Sequence, residues 1–232
     1  MTTQPRRGPR ELPREVRIIG GQWKRTKLPV ADRPGLRPTP DRVRETLFNW
    51  LGQDLSGWRC IDAFAGSGAL GFEAASRGAA EVVLLERDPV LVSELRATQQ
   101  RLGAATTTVE RVDALTWLAR SVPDAFDLVF LDPPFGDPRS LALALVAAAR
   151  VVRVGGFVYA ESSTALGAVD GADRLEPWRS GRAGSVHFHL LRAREFPSPP
   201  SVVDLPASAP DSRGGVADGG YTARDLDAWR AT

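Results

Sequence analysis

The sequence predicts an α/β fold, a mostly parallel sheet of seven strands with helices on both faces, preceded by a small β-hairpin. Three observations predict it. From residue 60 to residue 132, apolar runs of strand length alternate with segments of helical periodicity, the pattern of parallel strands covered by helices. The stretch CIDAFAGSGALG, residues 60–71, carries one strand into one helix through a glycine turn. After residue 155, three further β-like runs follow a long alanine-rich helix, and the last two can close the sheet as a hairpin.

Length and composition suit this arrangement. At 232 residues, with 43% hydrophobic, the chain can hold one domain of ordinary size plus tails. Its single cysteine, Cys60, falls inside the first predicted strand, so it reads as core in a reducing compartment. The arginine-rich start lacks the apolar run of a signal peptide, and no stretch approaches about twenty apolar residues, so a cytoplasmic location without membrane contact is expected. The formal charge of +2 hides an asymmetry: residues 1–44 hold twelve Lys or Arg against four acids, a net of +8. A basic arm therefore precedes a mildly acidic domain. The organisation expected is a disordered basic start over 1–13, a hairpin-and-helix extension over 14–52, the α/β domain over 53–195 and a disordered tail over 196–232.

In chain order, EVRIIGGQWKRTKLPV, residues 15–30, reads as two short strands around Gly20 and Gly21. Its cationic and aromatic residues, Arg17, Trp23, Lys24, Arg25 and Lys27, suit contact with nucleic-acid phosphates and bases. Thr39 is expected as a helix N-cap, followed by Pro40 at the first helical position and Asp41 in the first turn. Val43, Leu47, Trp50 and Leu51 recur at helical spacing and form a core face, which directs Arg42 and Arg44 elsewhere. With Arg37 they are expected to line the entrance to a ligand pocket and to contact RNA. Beyond the glycine turn the reading is helix to 77, strand 81–86, helix 88–102, strand 107–111, helix 113–121 and strand 126–131. A helix over 139–152, a strand over 155–162 and β-like runs over 173–179 and 184–192 complete it.

The glycine turn binds a nucleoside-containing cofactor on this reading. Gly66, Gly68 and Gly71 allow positive φ, close backbone approach and tight helix packing, and the helix start aims free N–H groups at a ligand. Glu86 ends the next strand twenty residues on, where its carboxylate can accept from both hydroxyls of a ribose. Asp62 separates two cofactors: beside the turn it would repel a pyrophosphate but suit the ammonium group of a methionine moiety. S-adenosylmethionine is therefore favoured over NAD. Asp113, ending the third strand, fits equally an adenine contact and a plain N-cap. His187 and His189 share one face of a strand, but with no cysteine or third histidine to join them no metal site is expected.

The chemistry lies in FDLVFLDPPF. Asp132, Pro133, Pro134 and Phe135 fall at the carboxyl edge of the sheet, where ligands sit in open α/β folds. The prolines remove backbone donors and leave the carbonyls of Asp132 and Pro133 as rigid acceptors beside the Asp132 carboxylate. Such a site receives N–H donors, and Phe135 offers a face on which a base can stack.

Together these residues resemble S-adenosylmethionine-dependent amino-methyltransferases, whose fourth motif reads Asp/Asn-Pro-Pro-Phe/Tyr. RIIGGQWKRTKLPV, GLRPTPDRVRETLFNWL, DAFAGSGALGFEAASRGA and FLDPPF narrow the resemblance to the bacterial small-subunit ribosomal RNA guanine-N2 methyltransferase family, over about residues 15–192. The resemblance implies the Rossmann-like class I methyltransferase fold, a donor lying over Asp62, Phe64, Ala65, Gly66, Ser67, Gly68, Glu86 and Arg87, with Asp113 and Ala114 near the adenine. It implies a flipped guanine, number 966 of 16S RNA, held against Asp132 to Phe135, and a monomer acting on ribosomal RNA or a small-subunit assembly intermediate. The extended start, the tail after 195 and GSVHFHLLR depart from the family pattern. A nicotinamide oxidoreductase, an adenine-N6 or protein glutamine methyltransferase and a non-catalytic RNA-binding protein stay open as alternatives from the residues alone.

Overall fold

The computed structural model describes residues 15–33, 38–134 and 138–195, so the expectations for both chain ends, for Arg37 and for Phe135 lie outside the described residues. The chain opens with β1 (Glu15–Arg17), β2 (Lys27–Pro29) and α1 (Asp41–Trp50), then β3 (Arg59–Asp62), α2 (Ala69–Ser76), β4 (Glu81–Glu86) and α3 (Pro89–Leu102). It continues through β5 (Thr107–Arg111), α4 (Ala114–Arg120), β6 (Phe126–Leu131), α5 (Pro138–Val151), β7 (Val152–Ser162), β8 (Leu175–Ala183) and β9 (Val186–Ala193). Strands β1 and β2 pair antiparallel, and the other seven form one sheet in the order β5-β4-β3-β6-β7-β9-β8. The first five of these run parallel, while β9 is antiparallel to both of its neighbours. This is the Rossmann-like class I methyltransferase architecture with an N-terminal hairpin. No helix among the described residues is long and apolar enough to cross a membrane.

Apolar side chains fill both faces of the sheet. Phe48, Phe72, Leu84, Phe130 and Tyr159 belong to one core cluster, and Ile61, Val83, Val129, Leu145 and Val158 to the other. Val16, Ile18, Leu28 and Val30 of the hairpin join the first cluster, so the hairpin is packed onto the sheet domain. Strand β7 starts at Val152, earlier than the predicted 155, because Val152 pairs with Phe126 before a bulge at the left-handed Gly155.

Three sequence expectations fail around α1. Thr39 does not cap the helix: the N-cap is Pro40, with no side-chain hydrogen bond, and the Thr39 hydroxyl is turned toward carboxylates on the sheet. Arg44 does not face a nucleic acid, because the buried stripe of α1 comprises Val43, Arg44, Leu47 and Phe48. Its guanidinium is fully enclosed and bonds Glu73 Oε2 at 3.2 Å, Asp41 Oδ1 at 2.8 Å and the carbonyls of Arg17 and Thr39 at 2.7 and 3.2 Å. Periodicity placed Trp50 in the core, yet it is half-buried and stacks on Phe188 at 5.4 Å.

Glu73 on α2 explains why a cation is buried there. Its carboxylate accepts from the amides of Ile19 and Gly20 at 2.7 and 2.8 Å, from Arg44 and from Arg77. Hairpin, α1 and α2 thus share one buried anion. Ser76 adds a second tie, accepting from the Trp23 amide and donating to the Gly20 carbonyl. Gly21 approaches so closely that an added Cβ would lie 1.8 Å from the Ser76 carbonyl oxygen. Glu73→Ala leaves two buried guanidiniums without their anion and is expected to cost about 3–5 kcal/mol of stability, read from urea denaturation; a loss below ~1 kcal/mol would remove this network as the hairpin's anchor.

Candidate active site

The order of the sheet reverses between β3 and β6, and a crevice opens there at the carboxyl ends of the strands. It is a cavity of about 580 Å³ lined by the loops after β3, β4, β5 and β6 and by Arg33, Pro38 and Thr39.

The loop after β3 supplies its floor. Phe64, Ala65, Gly66 and Ser67 line the cavity as predicted, and Gly66 takes φ of +52°. Gly68 does not line it. That residue is buried at φ +76°, and a Cβ there would meet Phe72 and Leu95 at 2.6 and 2.7 Å, so its role is to let α2 and α3 close on the turn. Gly71 plays the same part against Leu84 and Asp62. Glycine at the N-cap of α2 leaves that helix without a side-chain cap, and Asp62 replaces it across the turn by accepting from the Gly71 amide at 2.9 Å.

Asp62 is 2% exposed and lines the cavity, but its carboxylate is already engaged with α2. Burial pushes it up to about 7, the Gly71 amide opposes the rise, and Glu86 adds to it. Glu86 is held still: Oε2 accepts from Gly66 N at 3.0 Å, and Oε1 accepts from Arg87 N and Asp88 N at 2.8 and 2.9 Å. Three of roughly four lone-pair positions are used by the backbone, which fixes the carboxylate where it lines the cavity. Asp113 is the N-cap of α4, accepting from the amide and hydroxyl of Thr116, and these bonds hold its carboxyl below the ordinary range. It also lines the cavity together with Arg87, Val112, Ala114 and Leu115. The donor set fits S-adenosylmethionine: a fixed carboxylate for a ribose, apolar walls from Leu91, Val112 and Leu115 for an adenine, and buried acid beside the turn for an ammonium group.

Asp132, Pro133 and Pro134 line the same cavity. Pro133 and Pro134 also line a second cavity of about 200 Å³ shared with Glu161, Ser162 and Leu166. In parallel register Asp62 pairs with Phe130 and Phe130 with Tyr159, so Asp132 and Glu161, each two residues further, fall on the face that carries Asp62. Three carboxylates thus end three neighbouring strands. Thr39 Oγ1 lies 2.7 Å from Glu161 Oε1 and 3.4 Å from Asp132 Oδ2, and Tyr159 OH donates to Glu161 Oε1 at 2.9 Å. Burial, then Glu161, then Asp62 drive the Asp132 carboxyl well above the carboxylate range, while Thr39 opposes them.

Glu161, Thr39, Pro38 and Arg33 were not identified from sequence as site residues. Glu161 had a usable signal, an acid two residues past Tyr159 at the end of an apolar strand; Arg33 and Pro38 had none, since a loop's return to the cavity is not written in its pattern. Arg33 reaches Asp88 at 3.8 Å. Of the predicted RNA contacts, Arg17, Lys24, Arg25, Lys27 and Arg42 are exposed and Trp23 is half-buried. Lys27 pairs with Glu15 at 2.7 Å and Arg17 with Asp41 at 3.9 Å, both across exposed surface. None of these residues lines the large cavity.

The family model described as Conserved hypothetical protein 95 matches residues 16–192. Ribosomal RNA small subunit methyltransferase D of Escherichia coli K12 is 50% identical over 121 residues, 52% of this chain and 61% of the relative. The protein of that name from Haemophilus influenzae is 48% identical over 124 residues, 52% of this chain and 64% of the relative. The chain thus spans somewhat under two thirds of the length of these curated relatives. The solved structure of Escherichia coli yhhF, 37% identical, is matched over 78% of this chain and 98% of that one with a TM-score of 0.69.

Asp62 gives this site a pH signature. The folded chain holds the Asp62 proton at about 7 against 3.8 for the free side chain, so its contribution to stability is greatest below 3.8 and is lost as pH rises toward 7. Asp62→Asn keeps an acceptor for the Gly71 amide and has no such proton to lose. Urea denaturation across pH 4–7 should therefore show a stability difference, variant minus parent, that grows as pH rises; a constant difference would mean that Asp62 is ionised throughout.

Proposed function

The chain belongs to the family described as Conserved hypothetical protein 95, and we propose that it methylates the exocyclic N2 amine of guanine 966 in 16S ribosomal RNA, using S-adenosylmethionine. The observation that carries this reading is a shared cavity: Asp132, Pro133 and Pro134 line the same space as the glycine turn and Glu86. The similarity to curated small-subunit RNA methyltransferases supports the substrate class. The exposed cations of the hairpin, Lys24 and Arg25, support a polyanionic partner, either free ribosomal RNA or an assembly intermediate.

Bound S-adenosylmethionine would supply an electrophilic methyl group. Glu86, Asp113 and the loop at 64–67 would hold the donor, and Asp62 would attract its ammonium group. Pro133 and Pro134 offer no N–H, so this wall presents acceptors to an incoming amine. A guanine amine is a weak nucleophile because its lone pair is delocalised into the ring. Acceptors on its hydrogens favour the pyramidal geometry that frees the pair, and close positioning supplies the rest of the rate. The surplus proton passes to the Asp132 carboxylate, whose neighbours Glu161 and Asp62 raise its proton affinity.

Single-turnover transfer of labelled methyl to small-subunit RNA or particles tests the reading, with the modified nucleotide located afterwards. Asp132→Ala should retain donor binding by calorimetry and lose at least about a hundredfold in rate. Label absent from the RNA with the unaltered protein, or a rate near that of the parent in Asp132→Ala, would overturn it. The hairpin has a separate signature. Lys24→Ala combined with Arg25→Ala should weaken RNA binding and lower its salt slope by about 0.7–0.9 per lost phosphate contact, with donor affinity unchanged; an unaltered slope would exclude these residues from the RNA interface.

A further inference from the structure

We propose that Thr39 and Glu161 act with Asp132 as one proton-sharing unit, in which Thr39, carried in from the N-terminal extension, distributes its single hydroxyl hydrogen between the two carboxylates. The inference rests on the amine-methylation reading above and adds to it two positioning residues.

The geometry is specific. Thr39 is 3% exposed and Glu161 4% exposed, and each stands on a different part of the chain from Asp132. The hydroxyl lies 2.7 Å from Glu161 Oε1 and 3.4 Å from Asp132 Oδ2, within donating reach of both and closer to the glutamate. Tyr159 reinforces the glutamate from the sheet at 2.9 Å. The Arg44 guanidinium holds the Thr39 carbonyl at 3.2 Å, and Arg44 is itself fixed by Glu73 and the Arg17 carbonyl. A continuous buried polar chain therefore runs from the hairpin to Asp132.

The proton step balances without another reactant. An N–H bond of the methylated amine breaks, its electron pair stays on nitrogen, and an O–H bond forms on Asp132 Oδ2. The new O–H can donate to Thr39 Oγ1, whose own hydrogen then commits to Glu161. Among the described residues, the ionisable or polar groups facing Asp132 are Asp62 from β3, Glu161 and Tyr159 from β7, and Thr39 from the segment before α1; Ser140 of α5 lines the same cavity.

Two substitutions should act in opposite directions, which a merely structural role would not do. Glu161→Gln removes a like charge and should move the Asp132 titration to lower pH. Thr39→Val removes a donor that favours the ionised aspartate and should move it to higher pH. Thr39→Ser should restore the parent profile. The titration is read twice: by carboxyl-carbon NMR of the unliganded protein, and from the acid limb of single-turnover transfer with saturating donor. Shifts in the same direction, or none, in folded variants would overturn the proposal. Should the parent protein fail to methylate RNA, the functional reading falls, and the NMR titration still decides whether the three groups share protons.

Discussion

The buried carboxylate of Glu73 is the interaction on which the rest of the N-terminal architecture depends. An anion with no exposed surface is tolerated only when its lone pairs are filled and its charge is balanced. Here two backbone amides of the hairpin fill part of the shell, and two arginines complete it. Each donor comes from a different place: the loop between β1 and β2, helix α1, and one turn further along α2. Meeting the demand of one carboxylate therefore fixes three segments at once. Arg77 contributes twice, since its guanidinium also lies 4.6 Å over the Phe48 ring.

Fixing Arg44 also fixes a second partner of the same guanidinium. The same guanidinium that neutralises Glu73 accepts the task of holding Thr39, and Thr39 stands over the carboxyl ends of β6 and β7. The extension is thus both a basic hairpin on the surface and a wall of the cavity. Losing it would remove Pro38 and Thr39 from the site as well as the exposed cations.

The cavity is defined by an electrostatic conflict. Asp62, Asp132 and Glu161 end adjacent strands on one face, where burial and neighbouring carboxylates push the Asp62 and Asp132 carboxyls upward. Local bonds offset this unevenly. Among the described residues, Asp62 has the Gly71 amide, Glu161 the hydroxyls of Thr39 and Tyr159, and Asp132 the longer contact to Thr39.

What the sequence determined by itself was whatever depends on neighbours along the chain. The alternation of strands and helices, the glycine turn into α2, Glu86 at the end of β4, and the Asp132-Pro133-Pro134 segment are local patterns, and the parallel sheet follows from them because short connections and handedness allow few other arrangements. Tertiary structure decided everything that turns on who meets whom across the fold. Arg44 and Arg42 look alike in sequence, yet Arg44 is buried because Glu73, twenty-nine residues away, needs a cation. Thr39 has the signature of an N-cap, yet its hydroxyl serves Glu161, 122 residues further along, because a buried carboxylate is a stronger claimant than a helix end that Pro40 already begins well. Gly68 belongs to the glycine motif but is used for packing, since Phe72 and Leu95 occupy the space a side chain would need. Periodicity reports which face of a helix is buried; the charges waiting on the other side of that face are set only when the chain has folded.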